Sequence, residues 1–167
     1  MADVVTIELQ DRALLRAIGN MLALMESPRR LMDEIGAAIE KRAQQRFDTK
    51  TDPSGVPWPP LAKSTVDFWY AKKYPDGIPG SLMERTGLLR ASLAHNAGDD
   101  WVDIGTSREV PGKSRPTWQV GFLHEWGTRI MPPRRILTAD PETGTLGAGD
   151  QEAVLQVISR WLDTAFE

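Results

Sequence analysis

Residues 88–105, LLRASLAHNAGDDWVDIG, decide the fold. Leu89, Ala91, Leu93 and His95 alternate with Arg90, Ser92 and Ala94, and Trp101 to Gly105 is a second run of the same kind. That period of two belongs to a half-buried strand. Asn96 to Asp100, with Gly98 among polar turn formers, joins the two runs, so the stretch reads as a β-hairpin. A lone hairpin is marginal in water, and its apolar face needs helices to cover it. On the N-terminal side, Ser27-Pro28 offers a cap and a first-turn proline, and Leu31, Ile35, Ala38 and Ile39 form a helical stripe, which predicts a helix over 28–47. Lys41, Arg42 and Arg46 gather near its C-terminal end, where cations suit the helix dipole. Farther out, Leu14, Ile18, Met21, Leu22 and Met25 predict a helix over 11–26, preceded by a short strand around Val4, Val5, Ile7 and Leu9. On the C-terminal side, Val154, Val157, Ile158, Trp161, Leu162 and Ala165 predict a packed helix over 151–165. The expected fold is α+β: a small antiparallel sheet packed against two N-terminal helices and a C-terminal helix, with long loops, in a single domain over residues 1–167.

The loops have their own signature. Residues 48–60, DTKTDPSGVPWPP, hold four prolines and no periodicity, and 107–116, SREVPGKSRP, is equally irregular. Both are expected to be mobile until a partner covers them. A short helix is expected from Leu61 or Ser64 through Tyr74, and Thr143 to Gly149 reads as a flexible lead into the last one.

Composition removes whole classes of function. The chain has 167 residues, 20 Lys+Arg against 23 Asp+Glu, a net charge of -3 and a pI of about 5.5. No global basic field draws it to nucleic acid or to an anionic membrane. Zero cysteines exclude disulfides, thiolate metal sites and cysteine nucleophiles, and two histidines leave little for a His-rich metal site. No cofactor is expected. Neither a membrane span nor a basic, apolar signal region stands out, so the expected location is cytoplasmic. Charge is segregated: residues 136–167 carry six acids and one base, while 51–135 carry nine acids, eleven bases and nine of the twelve aromatics.

Enzyme motifs fail on spacing. His124-Glu125 has Thr128 where a zinc protease needs its second histidine, and no nucleophile accompanies His124 as a general base. Gly144 to Gly149 lacks the lysine of a phosphate loop. Arg129, Arg134 and Arg135 form a basic cluster beside Pro132 and Pro133, suited either to an acidic partner or to solvent.

The order of short motifs is more specific than any one of them. Arg46-Phe47, then Asp52 to Leu61 (DPSGVPWPPL), Thr86 to Leu93 (TGLLRASL), Val102 to Thr106 (VDIGT), Phe122 to Gly127 (FLHEWG) and Met131 to Leu137 (MPPRRIL) together resemble the virion morphogenesis, or tail completion, family of Mu-like and related temperate tailed phages. Two positions depart from the family pattern, Trp118 for a tyrosine and Ile136 for a phenylalanine. The resemblance implies a non-enzymatic structural protein of tail completion or head–tail joining, made in the bacterial cytoplasm and then part of the virion. The implied partners are the tail tube, the tail terminator or the head connector, and further copies of itself in a ring, six-fold where it matches a tail. Neither nucleic acid nor membrane is an expected partner. The expected interface is Trp58, Trp118, His124, Trp126, Arg129, Met131, Pro132, Pro133, Arg134 and Arg135. The competing reading is a small DNA-binding module of a mobile element, with Arg129, Arg134, Arg135, Lys72 and Lys73 on phosphates. A further possibility for this segment is that Trp126 and Ile136 belong to the core and the arginines are merely solvated.

Overall fold

The computed structural model describes residues 19–20, 28–67, 82–84, 86–106 and 116–164. Helix α1 runs Pro28–Thr49, followed by a single turn α2 at Lys63–Thr65 and another, α3, at Leu88–Ala91. Strands β1 (Leu93–Ala97) and β2 (Val102–Thr106) follow, then α4 (Thr117–Trp126) and α5 (Ala148–Asp163). The strands form a two-stranded antiparallel sheet in the register Leu93 to Thr106, His95 to Ile104 and Ala97 to Val102. This is the expected α+β hairpin with helices against it. The strand around Val4 to Leu9, the helix over 11–26 except for helical Gly19 and Asn20, the 68–74 part of the short helix and the 107–115 part of the second loop fall outside the described residues.

Helix α1 is the spine, packing against both strands and α5. Its buried positions Ile35, Ile39, Ala43 and Phe47 recur every four residues and so lie along one face, with Arg46 beside them. Lys50, at φ 57°, ends the helix in the left-handed conformation, and its N–H bonds Arg46 O at 2.8 Å. The core gathers Ala43, Phe47, Trp58, Leu89, Leu93 and Ile136, with Phe47 and Trp58 edge to face at 5.5 Å between centroids. Each such buried large side chain contributes about 1.5–3 kcal/mol. Gly36 lets α1 approach the hairpin: a methyl there would run into the His95 ring and come within 2.9 Å of Val102 Cγ2.

The hairpin is shorter than its alternation suggests. Gly87, at φ 68°, turns the chain into the helical turn α3, so Leu89 and Ala91 are helical and extended structure begins at Leu93. Ser92 Oγ donates to Leu89 O at 2.8 Å and closes that turn. Leu89 is nonetheless buried, because one face of a turn serves as well as one face of a strand.

The proline-rich loop is irregular yet packed onto the core. Asp52 accepts the N–H groups of Ser54 and Val56 at 2.8 and 2.9 Å, Thr51 pairs with Pro57, and Trp58 N bonds Lys50 O at 2.7 Å. The buried Trp58 ring and the buried Pro53 then seat the loop. Gly147 meets Pro53 so closely that no side chain fits there, which turns the supposed flexible lead into a packed joint. Helix α5 begins at Ala148, three residues before the expected start.

Candidate interaction surface

Most of the sequence motifs work inside the fold. Asp150, fully buried at the first turn of α5, accepts Arg46 Nη2 on both carboxylate oxygens and Arg42 Nε at 2.6 Å. Arg46 Nη1 also donates to Ile136 O at 2.5 Å. Glu125, on the inner side of α4, accepts the N–H groups of Ile136 and Leu137 at 2.5 and 2.6 Å and the Thr138 hydroxyl at 3.2 Å. Arg134 donates to Pro59 O and Pro60 O at 2.7 and 2.8 Å, and its own N–H bonds His124 O. Trp58 Nε1 reaches Arg135 O at 3.0 Å. These bonds tie the 134–138 segment to α4, to the proline-rich loop and to α1.

They also sort the expected interface residues. Trp58 and Arg134 lie in the interior, since both spend their polar groups on backbone carbonyls of this chain and leave almost no surface to a partner. Burial pulls Arg134 below the usual arginine range. Arg135 is half-buried and donates to Ala139 O at 2.5 Å. His124 is half-buried, and burial, followed by the nearby Arg134 charge, lowers it to about 4, so the ring is neutral at physiological pH. Met131 is half-buried in a tight turn, with Thr128 N bonding Met131 O at 2.8 Å and Met131 N bonding Thr128 Oγ1 at 3.0 Å. Trp118, Trp126, Arg129, Pro132 and Pro133 are exposed.

Two residues join the exposed group that the sequence reading did not place there. Trp118, Phe122 and Trp126 stand four residues apart on α4, 52%, 57% and 47% exposed, and so form one outward stripe. The Phe122 and Trp126 rings lie 6.0 Å apart. Ile130, at the tip of the 128–131 turn, is 86% exposed and extends the apolar surface. Beside the stripe, an open apolar groove of about 260 Å³ runs between α4, Leu93, Thr106 and Leu137. Buried Gly121 keeps its floor low, as a methyl there would come within 2.7 Å of Thr106 Oγ1. The signal for Phe122 was its spacing from Trp118 and Trp126, which shows only once 117–126 is known to be a helix.

The stripe has the physical character of a contact surface. Monomeric proteins seldom expose contiguous large apolar groups without a use for them, and aromatic side chains dominate binding hot spots. Among the described residues no group of three or more histidines and carboxylates is arranged to hold a metal, and no helix is long and apolar enough to cross a membrane.

Comparison with known proteins bears on residues 9–163, which match the model of the phage virion morphogenesis family. The chain is 29% identical over 122 residues to the "Putative capsid assembly protein G" of Escherichia phage Mu, covering 71% of this chain and 69% of that protein. It is 26% identical over 118 residues to the "Mu-like prophage FluMu G protein 1" of Haemophilus influenzae, covering 70% and 71%. No solved structure matches it with significance.

Proposed function

The chain belongs to the phage virion morphogenesis family, and from that premise we propose that it is a non-enzymatic structural protein that completes the tail or joins head to tail. Its role in virion assembly comes with the family; the position at the neck is the finer reading. The Mu relative carries a capsid name, while the sequence motifs resemble tail completion proteins, and a protein of the head–tail junction accommodates both. The observation that carries the contact role is the stripe of Trp118, Phe122 and Trp126, apolar area that the monomer leaves open. The partners in this reading are the tail tube, the tail terminator or the head connector, together with further copies of the chain in a ring. The protein then moves from the host cytoplasm into the virion.

The DNA-binding alternative loses support from the same geometry. Arg134 and Arg135 both donate to backbone carbonyls, which leaves Arg129 as the exposed member of the trio, while Lys72 and Lys73 lie outside the described residues. A phosphate-tracking surface needs several free cations together.

Imaging of particles from a strain lacking this gene tests the reading. Filled heads beside unjoined or unfinished tails are the expected result. Normal, joined and infectious particles would overturn it.

A further inference from the structure

We propose that the aromatic stripe of α4 docks on the outer face of α5 in a second copy of this chain, a head-to-tail contact that sets Arg129 of one copy against Glu152 of the next. The inference rests on the assembly reading above and names one partner within it.

Both halves of the contact are present on one subunit. Helix α5 turns Val157 and Asp150 inward, while Leu155, 65% exposed, and Leu162 share its outer side, seven residues or two turns apart. Glu152, Ser159 and Asp163 flank them, all exposed. The pair spans about 10 Å and the Trp118 to Trp126 stripe about 12 Å at 1.5 Å per residue, so the two faces match in length. They differ in charge: Arg129 stands just beyond the α4 end, whereas α5 presents acids within the acidic last section of the chain. An antiparallel crossing brings the C-terminal end of α4 to the N-terminal end of α5, which is favourable for the helix dipoles and puts Arg129 opposite Glu152.

A second copy fits better than two other pairings on the same surface. Two α4 stripes facing each other would bury the rings but leave Leu155 and Leu162 open and Arg129 without an acid. Two α5 faces would set Glu152 and Asp163 against their own kind. A contact between two different faces repeats from subunit to subunit, which is what a closed ring requires. The apolar groups supply a centre for an interface that needs about 800 Å² per partner, with Ile130 and the 128–133 turn at its rim.

Analytical ultracentrifugation of the full chain decides it. Wild type should self-associate, while Phe122→Ser and Leu155→Ser, each at an exposed position and each checked for folding by circular dichroism, should sediment as monomers. An equal mixture of the two variants should give a dimer and nothing larger, because one intact α4 face meets one intact α5 face and both remaining faces are spoiled. Arg129→Glu should weaken association at least tenfold at low salt, and adding Glu152→Arg should restore it. A Leu155→Ser protein that still associates, a mixture that stays monomeric, a charge swap without rescue, or a wild type monomeric up to about 1 mM each overturns the proposal. If the gene deletion blocks virion assembly while the wild type stays monomeric, the assembly reading stands and this contact falls.

Discussion

Arg46 and Asp150, 104 positions apart in sequence, form a buried ion pair in which one guanidinium nitrogen serves both carboxylate oxygens. The pair joins the C-terminal end of α1 to the first turn of α5, and the same guanidinium also holds Ile136 O. Removing Asp150 leaves the Arg46 charge buried without its counterion, and Arg42, more exposed, loses the same partner. Asp150→Asn is therefore expected to cost about 3–5 kcal/mol, read as a lower urea midpoint. Replacing both, Arg46→Met with Asp150→Leu, should cost less than the single change, and a double variant less stable than Asp150→Asn would count against this account.

Glu125 holds the 136–138 backbone through charge-assisted bonds to two N–H groups and a hydroxyl. Glu125→Ala strands those donors and should lower stability by about 2–4 kcal/mol, while Glu125→Gln keeps one acceptor and should lose about half as much. Faster amide exchange at Ile136 and Leu137 than at the α1 core would locate the loss.

At Gly36 two effects oppose each other. Alanine gains about 1 kcal/mol of helix propensity, but its methyl meets the His95 ring and Val102, and overpacking costs about 1–3 kcal/mol. Since the His95 ring is held on both nitrogens by Glu40 and Asp33 and has little freedom to give way, Gly36→Ala should come out destabilising in thermal melts. Gly105, on β2 with open space around its Cβ position, should accept alanine with far less change.

The two histidines respond to pH in opposite directions. The Glu40 hydrogen bond, with Asp33 adding to it, raises His95, so its protonated form favours the fold. That contribution is complete below about 6.5, the ordinary value, and fades as pH rises through the raised one. His124 is lowered to about 4 by burial and Arg134, so between about 6.5 and 4 the unfolded chain takes up a proton that the fold refuses, and stability drops as pH falls. Melting temperatures against pH should show a shallower acid-side decline in His124→Gln than in wild type. His95→Gln should be destabilised most at acid pH and least at alkaline pH, and parallel profiles for all three proteins would contradict both assignments.

Periodicity made α1, the hairpin and α5 legible in the sequence, because each buries one face and exposes the other. Helix α4 did not announce itself: in TWQVGFLHEW apolar groups lie on both sides, Val120 and Leu123 turned partly inward and Trp118, Phe122 and Trp126 outward, so no polar face marks it. The same feature hid Phe122, the middle member of the outward stripe. Trp58 and Arg134 were misplaced outside because their partners lie 77 and 75 residues away, and neighbouring sequence carries no sign of a bond at that range. Charge and aromatic content indicate where contact chemistry is concentrated, but not which of those groups the chain uses on itself.

The length of the Arg46 to Asp150 link also orders events during synthesis. When residues 28–106 have left the ribosome, α1 and the hairpin can meet, yet Arg46 and Arg42 have no carboxylate to close on until α5 follows. A growing or truncated chain that stops short of residue 150 thus carries uncompensated cations against its core and lacks the helix that α1 packs on. Closure of the fold thus waits on a carboxylate 104 positions downstream, and a chain cut before residue 150 is expected to be digested faster in limited proteolysis than the chain that carries α5.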